Sequence, residues 1–469
     1  MMYRIWGANP EPDIALVQHS ILTILFILSS LYRSRSLVRQ RSVNTEEKNM
    51  NKVRMFLGLL GLVALTGITA VPSSLAAEEK TPVRIAVIEA LSGPSAVIGK
   101  WWSNHIRYAV DQVNAKGGVL GGREIEIVYF DSKGSAQEGV IAFKAVTDQN
   151  LSVIFGTTGS NVALALTDAI LKHNTRNPDR AVLFLNYGGQ TPELTNEQCH
   201  FFHFRFDVHA DQKVDALVRQ IAAQKSVSKV YLLNQDYAYG HAAQKLSREL
   251  LAQRRPDIQI VGDDLIQLQK TKDFAPFVAK IRASGADTLV TSNWGPDLAL
   301  LMRASHDSGL ATRFYTLNSH FTGTPTAIGE AGMDKLVNVS SWHPNIADGR
   351  LEQYYLGYKK KYKEEWNMLP HKSAVEMWAK AVDIAKSDNP VAVAKALENM
   401  RYDAGTGQMW MRAEDHQLMH ALYAFKFTKA GEPGVKYDVE NLGIGWRTEG
   451  RIEAEDILRP HTCKMERPQ

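Results

Sequence analysis

At 469 residues the chain is too long for one ordinary core, so two domains are the natural expectation. A hydrophobic share of 45% and a charged share of 22% exclude a disordered or fibrous protein. The formal charge of +4 resides in residues 1–76, which hold eight basic and four acidic residues and leave 46 of each sign in the body; a neutral body lacks the basic face that nucleic-acid binding needs.

Taken in chain order, the first clear element is a targeting signal. Lys52 and Arg54 precede an apolar run from Phe56 to Val71, followed by Ser73-Ser74-Leu75-Ala76-Ala77. A basic region, an apolar region and small residues in that order predict a secretory signal peptide over 50–76, cut after Ala76. Residues 1–49 do not fit that plan. Met50 or Met55 would start a normal signal peptide, so 1–49 reads as an extension upstream of the true start. The rival is a membrane anchor, but the apolar stretch Ile21–Tyr32 is shorter than the roughly 20 residues a span needs.

After Lys80 the chain alternates strand and helix. Val83–Glu89 is a β-branched apolar run of the kind buried in parallel sheets. Trp102, Ile106, Ala109, Val110 and Val113 recur at helical spacing, and Lys116-Gly117-Gly118 predicts the stop. Strands Ile125–Phe130, Ser152–Phe155 and Ala181–Leu185 follow, with helices over Ala136–Thr147 and Asn161–Leu171 between them. The rhythm restarts after residue 207, with strands at Lys229–Leu233, Ile258–Val261, Thr288–Thr291 and Phe314–Leu317. From His343 the pattern turns helical, and Gly405–Phe427 reads as a turn and strands. This predicts an α/β fold of two doubly wound parallel-sheet lobes.

In such sheets ligands sit at the C-terminal ends of strands. The loops so selected are Ala90–Gly93, Gly156–Ser160, Asn186–Thr191, Asn234–Gly240, Ser292–Pro296 and Asn318–Phe321. They are rich in Gly, Ser, Thr, Asn and aromatic residues and poor in His, Cys and carboxylates. No GxxxxGK[ST] loop is present, and Gly117–Gly122 lacks dinucleotide-binding spacing. Ser160 lies in a strand-to-helix turn, but Thr158 breaks the GxSxG pattern. His200, His203 and His209 read as ordinary histidines near a lobe crossover rather than a metal site, and Trp101 and Trp102 as core and rim residues. Cys199 and Cys463 could pair if the chain is exported, or remain free thiols.

Val83-Arg84-Ile85-Ala86-Val87, Leu91-Ser92-Gly93-Pro94, Val113-Asn114-Ala115-Lys116-Gly117-Gly118, Val153-Ile154-Phe155-Gly156, Thr191-Pro192-Glu193-Leu194-Thr195 and Tyr237-Ala238-Tyr239-Gly240 occur in that order. Over roughly 82–430 this resembles the leucine/isoleucine/valine-binding proteins of bacterial ABC transporters, of the type I periplasmic binding-protein fold. The resemblance implies a multi-crossing hinge, with lobe 1 as 81–206 plus 342–404, lobe 2 as 207–341 plus 405–455, and a tail 456–469. It implies a periplasmic protein with no catalytic activity and no cofactor, delivering a small ligand to membrane permease subunits.

By position the resemblance carries ligand contacts onto Ser160, a carboxylate-binding hydroxyl at a helix N-terminus, and onto Gly188, Gln190, Tyr239 and Trp294. The departure is Asn318, where the family has a carboxylate facing the ligand's ammonium. An amide accepts a hydrogen bond but does not neutralise a buried cation. The expected ligand is therefore amino-acid-like, an amide or a small organic acid, with Glu89 as either a substitute acid or a solvated rim charge. The competing readings are a sensor or regulator of the same fold, and an exported serine hydrolase acting through Ser160.

Overall fold

The computed structural model describes residues 80–468; the expected extension and signal peptide lie outside them. Strand β1 (Val83–Glu89) is buried at every position but Arg84, so the sheet it founds is covered on both faces. The chain continues through α1 (Ala96–Asn114), β2 (Ile125–Asp131), α2 (Ala136–Asp148), β3 (Val153–Gly156), α3 (Ser160–Arg176), β4 (Leu183–Asn186) and β5 (His203–Arg205). These strands form one parallel sheet in the order β2-β1-β3-β4-β5. Its register sets Ile88 beside Gly156 and Gly156 beside Asn186, so the loops after β3 and β4 leave the same edge as neighbours.

The second lobe repeats the plan with α4 (Ala210–Ala223), β6 (Lys229–Gln235), α5 (Ala238–Arg254), β7 (Gln259–Ile266), α6 (Ala275–Ala283), β8 (Thr288–Thr291), α7 (Gly295–Asp307), β9 (Arg313–Thr316), α8 (Thr324–Ile328) and β10 (Leu336–Ser340). The chain then returns through α9 (Glu352–Tyr362), α10 (Leu369–Ala385), which packs on α1, and α11 (Pro390–Leu397), which packs on β4. Strands β11 (Arg401–Asp403), β12 (Gln408–Met411) and β13 (Leu418–Met419) make a small antiparallel sheet. Finally β14 (Leu422–Lys429) and β15 (Ile444–Ile452) rejoin the second sheet, whose order is β15-β14-β10-β9-β8-β6-β7.

The expected α/β plan of two parallel-sheet lobes holds, and two edge strands add to the second sheet: β14 runs antiparallel to β10 and β15 to β14. One expected boundary differs. Residues 405–419, expected with lobe 2, lie beside lobe 1, since Gln417 bridges to Arg205 at the end of β5. That guanidinium is fully buried and binds Gln417 Oε1 at 2.6 Å and the Thr191 carbonyl at 2.6 Å, which fastens the small sheet to the first lobe. The crossings between lobes therefore fall near 206–209, 341–351 and 420–421.

Beyond β15 the tail crosses again. Arg459 pairs with Asp215 of α4 at 2.8 Å, the Thr462 amide donates to Asn196 Oδ1 at 2.9 Å, and Cys463 is disulfide-bonded to Cys199. Among the described residues no helix is long and apolar enough to cross a membrane.

Candidate functional site

Helix α3 follows β3 with almost no loop, because Gly159 at its N-cap takes φ +91°, a conformation that disfavours side chains. With no side chain capping it, the first-turn N–H groups of α3 stay free of local partners. The Ser160 hydroxyl accepts from the amides of Gln190 (3.1 Å) and Thr191 (3.2 Å), which leaves its own hydrogen to donate. A helix N-terminus with a hydroxyl donor suits an anionic or carbonyl oxygen. No histidine hydrogen-bonds Ser160 Oγ among the described residues.

The loop after β4 is folded by Asn186, whose Oδ1 accepts from the amides of Gly188 (3.1 Å) and Gly189 (2.7 Å). A Cβ on Gly188 would lie 2.4 Å from Trp102 Cζ3 and 2.6 Å from the Thr157 carbonyl, so the indole edge packs where only glycine fits. Trp102 comes from α1, is buried, and its Nε1 has no protein partner.

Lobe 2 supplies the facing wall. Trp294, the N-cap residue of α7, donates Nε1 to the Tyr237 hydroxyl at 2.7 Å, which fixes the indole plane. Asn318 donates Nδ2 to the Ser292 carbonyl at 2.8 Å and more weakly to the Tyr239 hydroxyl at 3.4 Å. Phe321 meets Trp102 edge-on at 5.7 Å between ring centroids. Trp294 Cζ2 would lie 3.9 Å from a Cβ on Gly159, and Gln269 hydrogen-bonds Ser95, so the lobes touch across the cleft.

At this contact lies a cavity of about 20 Å³, room for about one water. The two walls are therefore drawn together here. Ser160, Gly188, Gln190, Tyr239, Trp294 and Asn318 all line this cavity. Gly159, Tyr237 and Phe321, from the expected strand-end loops but not expected as individual contacts, line it too, as does Trp102, which lies outside those loops.

Glu89 is not in the cavity wall, which corrects both of its expected roles. It is fully buried beneath the loops: one carboxylate oxygen accepts the Thr158 amide (3.0 Å) and the Thr158 hydroxyl, and the other accepts the Tyr187 hydroxyl at 2.6 Å. Burial pushes its pKa up to about 7, against the opposing pull of these hydrogen bonds. Its role here is to tie the 157–159 and 187–188 loops together. Burial likewise raises the pKa of Tyr237 and Tyr239, so both phenols stay neutral donors.

The histidines are built into the fold's own hydrogen bonding and packing. His200 Nε2 binds the Thr167 carbonyl at 3.1 Å, His203 Nε2 meets the Asn186 amide at 3.2 Å, and burial drives the pKa of His200, His203 and His209 down. Among the described residues no group of three or more His, Cys, Asp or Glu is placed to hold a metal ion.

Comparison with known proteins agrees with this architecture. A family model described as periplasmic binding protein matches residues 82–432. A Leu/Ile/Val-binding protein homolog 4 from Brucella melitensis is 30% identical over 399 residues, covering 82% of this chain and 93% of that protein. The structure of a leucine-, isoleucine-, valine-, threonine- and alanine-binding protein from Brucella ovis, in a closed conformation, is 26% identical. It superposes with a TM-score of 0.74 over 83% of this chain and 100% of its own. A solute-binding protein from Rhodopseudomonas palustris BisB5, solved with 3,4-dihydroxybenzoic acid, shares the fold at 16% identity and a TM-score of 0.70, covering 80% of this chain and 98% of its own. The chain therefore belongs to the periplasmic binding-protein family, on its leucine/isoleucine/valine-binding branch.

Proposed function

We propose that this protein is the exported solute-binding component of an ABC importer: its lobes close on a small polar ligand and present it to membrane permease subunits. The observation that carries the reading is the convergence of Ser160, Gly188 and Gln190 from one lobe with Tyr239, Trp294 and Asn318 from the other on one cavity. A carboxylate or carbonyl fits against the Ser160 hydroxyl and the first turn of α3, and the aromatic walls take the ligand's apolar surface.

The Brucella relatives are named for branched-chain amino acids, which supports an amino-acid-like ligand. The lining argues for a narrower choice. It contains no carboxylate, Glu89 is committed to the loops, and Asn318 offers only a neutral oxygen. A buried ammonium left without a counter-charge is costly, so we favour amides and small organic acids over free α-amino acids.

The test is a thermal-shift screen of amino acids, amides, urea and aromatic acids, followed by titration calorimetry. A ligand at 100 times its Kd should stabilise the folded state by about 2.7 kcal/mol. Ser160→Ala should weaken its binding while the protein stays folded. A panel in which nothing shifts the transition rejects the reading, and a clear preference for leucine or valine rejects the ligand class.

A further inference from the structure

Beneath the lobe 1 wall lies an ion pair that the sequence reading did not select. Asp207 follows β5 at the first crossing, Lys213 stands in the first turn of α4, and each side chain is only 2% exposed. Asp207 Oδ2 receives both Lys213 Nζ and Gln190 Nε2, each at 2.7 Å, and its Oδ1 accepts the Val208 amide at 2.9 Å. His320 and His420 face the pair, and burial keeps both neutral. The carboxylate and ammonium therefore cancel locally, as buried charges must.

The consequence falls on Gln190. Its amide nitrogen must point at Asp207, because the reversed amide would set oxygen against carboxylate oxygen. Its main-chain N–H is held by Ser160. Besides the second Nε2 hydrogen, what remains is Oε1, a buried acceptor without a partner in a residue that lines the cleft. Across the cavity Asn318 is oriented in the same sense, since its Nδ2 serves protein carbonyls. Two amide groups on opposite lobes thus have their nitrogens turned toward protein acceptors, while Ser160 and the Trp102 indole nitrogen are donors.

We infer that the Lys213–Asp207 pair sets the hydrogen-bond polarity of the cleft, fixing Gln190 as an acceptor so that the site selects ligands with an uncharged N–H or O–H donor, primary amides or hydroxy acids. The inference rests on the reading of this cleft as the ligand site. Asp207 and Lys213 are positioning residues that act through Gln190. An ammonium gains little here, because the charge of Asp207 is already matched and only neutral dipoles replace its hydration.

The test is calorimetry on the mature protein with matched probes: propionamide against N,N-dimethylpropionamide, lactate against 2-methoxypropionate, and L-alanine alongside. The wild type should favour the donor-bearing member of each pair by at least about tenfold, and Gln190→Met should reduce that ratio to about twofold or less. Asp207→Asn with Lys213→Met keeps the site neutral and lets Gln190 turn, so it should lower the ratio as well, at an unchanged urea midpoint. If that double variant does not fold, Gln190→Met decides alone. Equal affinity within both pairs, with binding still weakened by Ser160→Ala, overturns the inference and leaves the cleft reading standing. Tighter binding of L-alanine than of propionamide and lactate also overturns it. Absence of binding by every probe overturns both.

Discussion

Glu89 permits a pH test of how lobe 1 holds its binding loops. In the folded protein burial raises its carboxyl to about 7, while the ordinary value is 4.5. Between these values the folded state retains a proton that the unfolded chain has released. The stability contributed by Glu89 is therefore fully present below about pH 4.5 and is lost as pH rises through 7. At roughly 1.4 kcal/mol per pH unit the loss amounts to about 3 kcal/mol. Carboxylates held low by cations act in the opposite sense: Asp348 beside Arg350 and Glu352 beside Lys436 lose their contributions only in more acid solution. Comparing wild type with Glu89→Gln between pH 5 and pH 8 isolates the residue, because the other groups cancel. The variant loses acceptor capacity toward Thr158, Ala90 and Tyr187 and should be less stable at pH 5. In urea unfolding followed by tryptophan fluorescence, that deficit should shrink by about 2–3 kcal/mol at pH 8. A deficit that is constant or widens with pH refutes the reasoning.

Three further expectations concern the walls and the tail. Gly188→Ala puts a methyl group 2.4 Å from Trp102 Cζ3, so it should cost about 1–3 kcal/mol and abolish ligand binding as the indole shifts into the cleft; wild-type affinity in calorimetry contradicts this. Trp294→Ala should weaken binding by at least about tenfold with little change in the thermal transition, and unchanged affinity would place the ligand elsewhere. Replacing Cys199 and Cys463 together by Ser should lower the unfolding free energy by about 2–4 kcal/mol and expose residues 456–468 to limited proteolysis; a tail equally protected in the variant shows that its other contacts suffice.

Much of the site was legible because it lies where strand ends must converge. Val83–Glu89 is recognisable from its continuous apolar run, and once the strands are placed, the loops after them are candidates whatever the ligand. What escaped depends on partners distant in sequence. Strand β10, which the sequence analysis does not single out, carries Asn338, satisfied in the core by Thr316 (2.9 Å) and the Ser319 amide (2.9 Å). Helical periodicity marks Trp102 as buried, but only the packing of α1 brings its edge to Gly188. Glu89 ends a strand like a rim charge, and its burial depends on Thr158 and Tyr187, both far along the chain. Asp207 and Lys213 resemble two ordinary charges six residues apart until Gln190 joins them. The join between β5 and the 405–419 segment rests on Arg205 and on His416 and Gln417 some two hundred residues away, a signal too sparse for pattern reading.

The central claim is that two lobes trap a guest by closing on it. Val97, 64% exposed on lobe 1, and the exposed Lys272 on lobe 2 provide positions for paired spin labels after substitution by Cys, because both native cysteines are already bonded to each other. Pulsed electron–electron resonance should give a broad, longer distance without ligand and a narrower, shorter one at saturation with the tightest binder of the screen. A distance distribution that the bound ligand leaves unchanged contradicts the account.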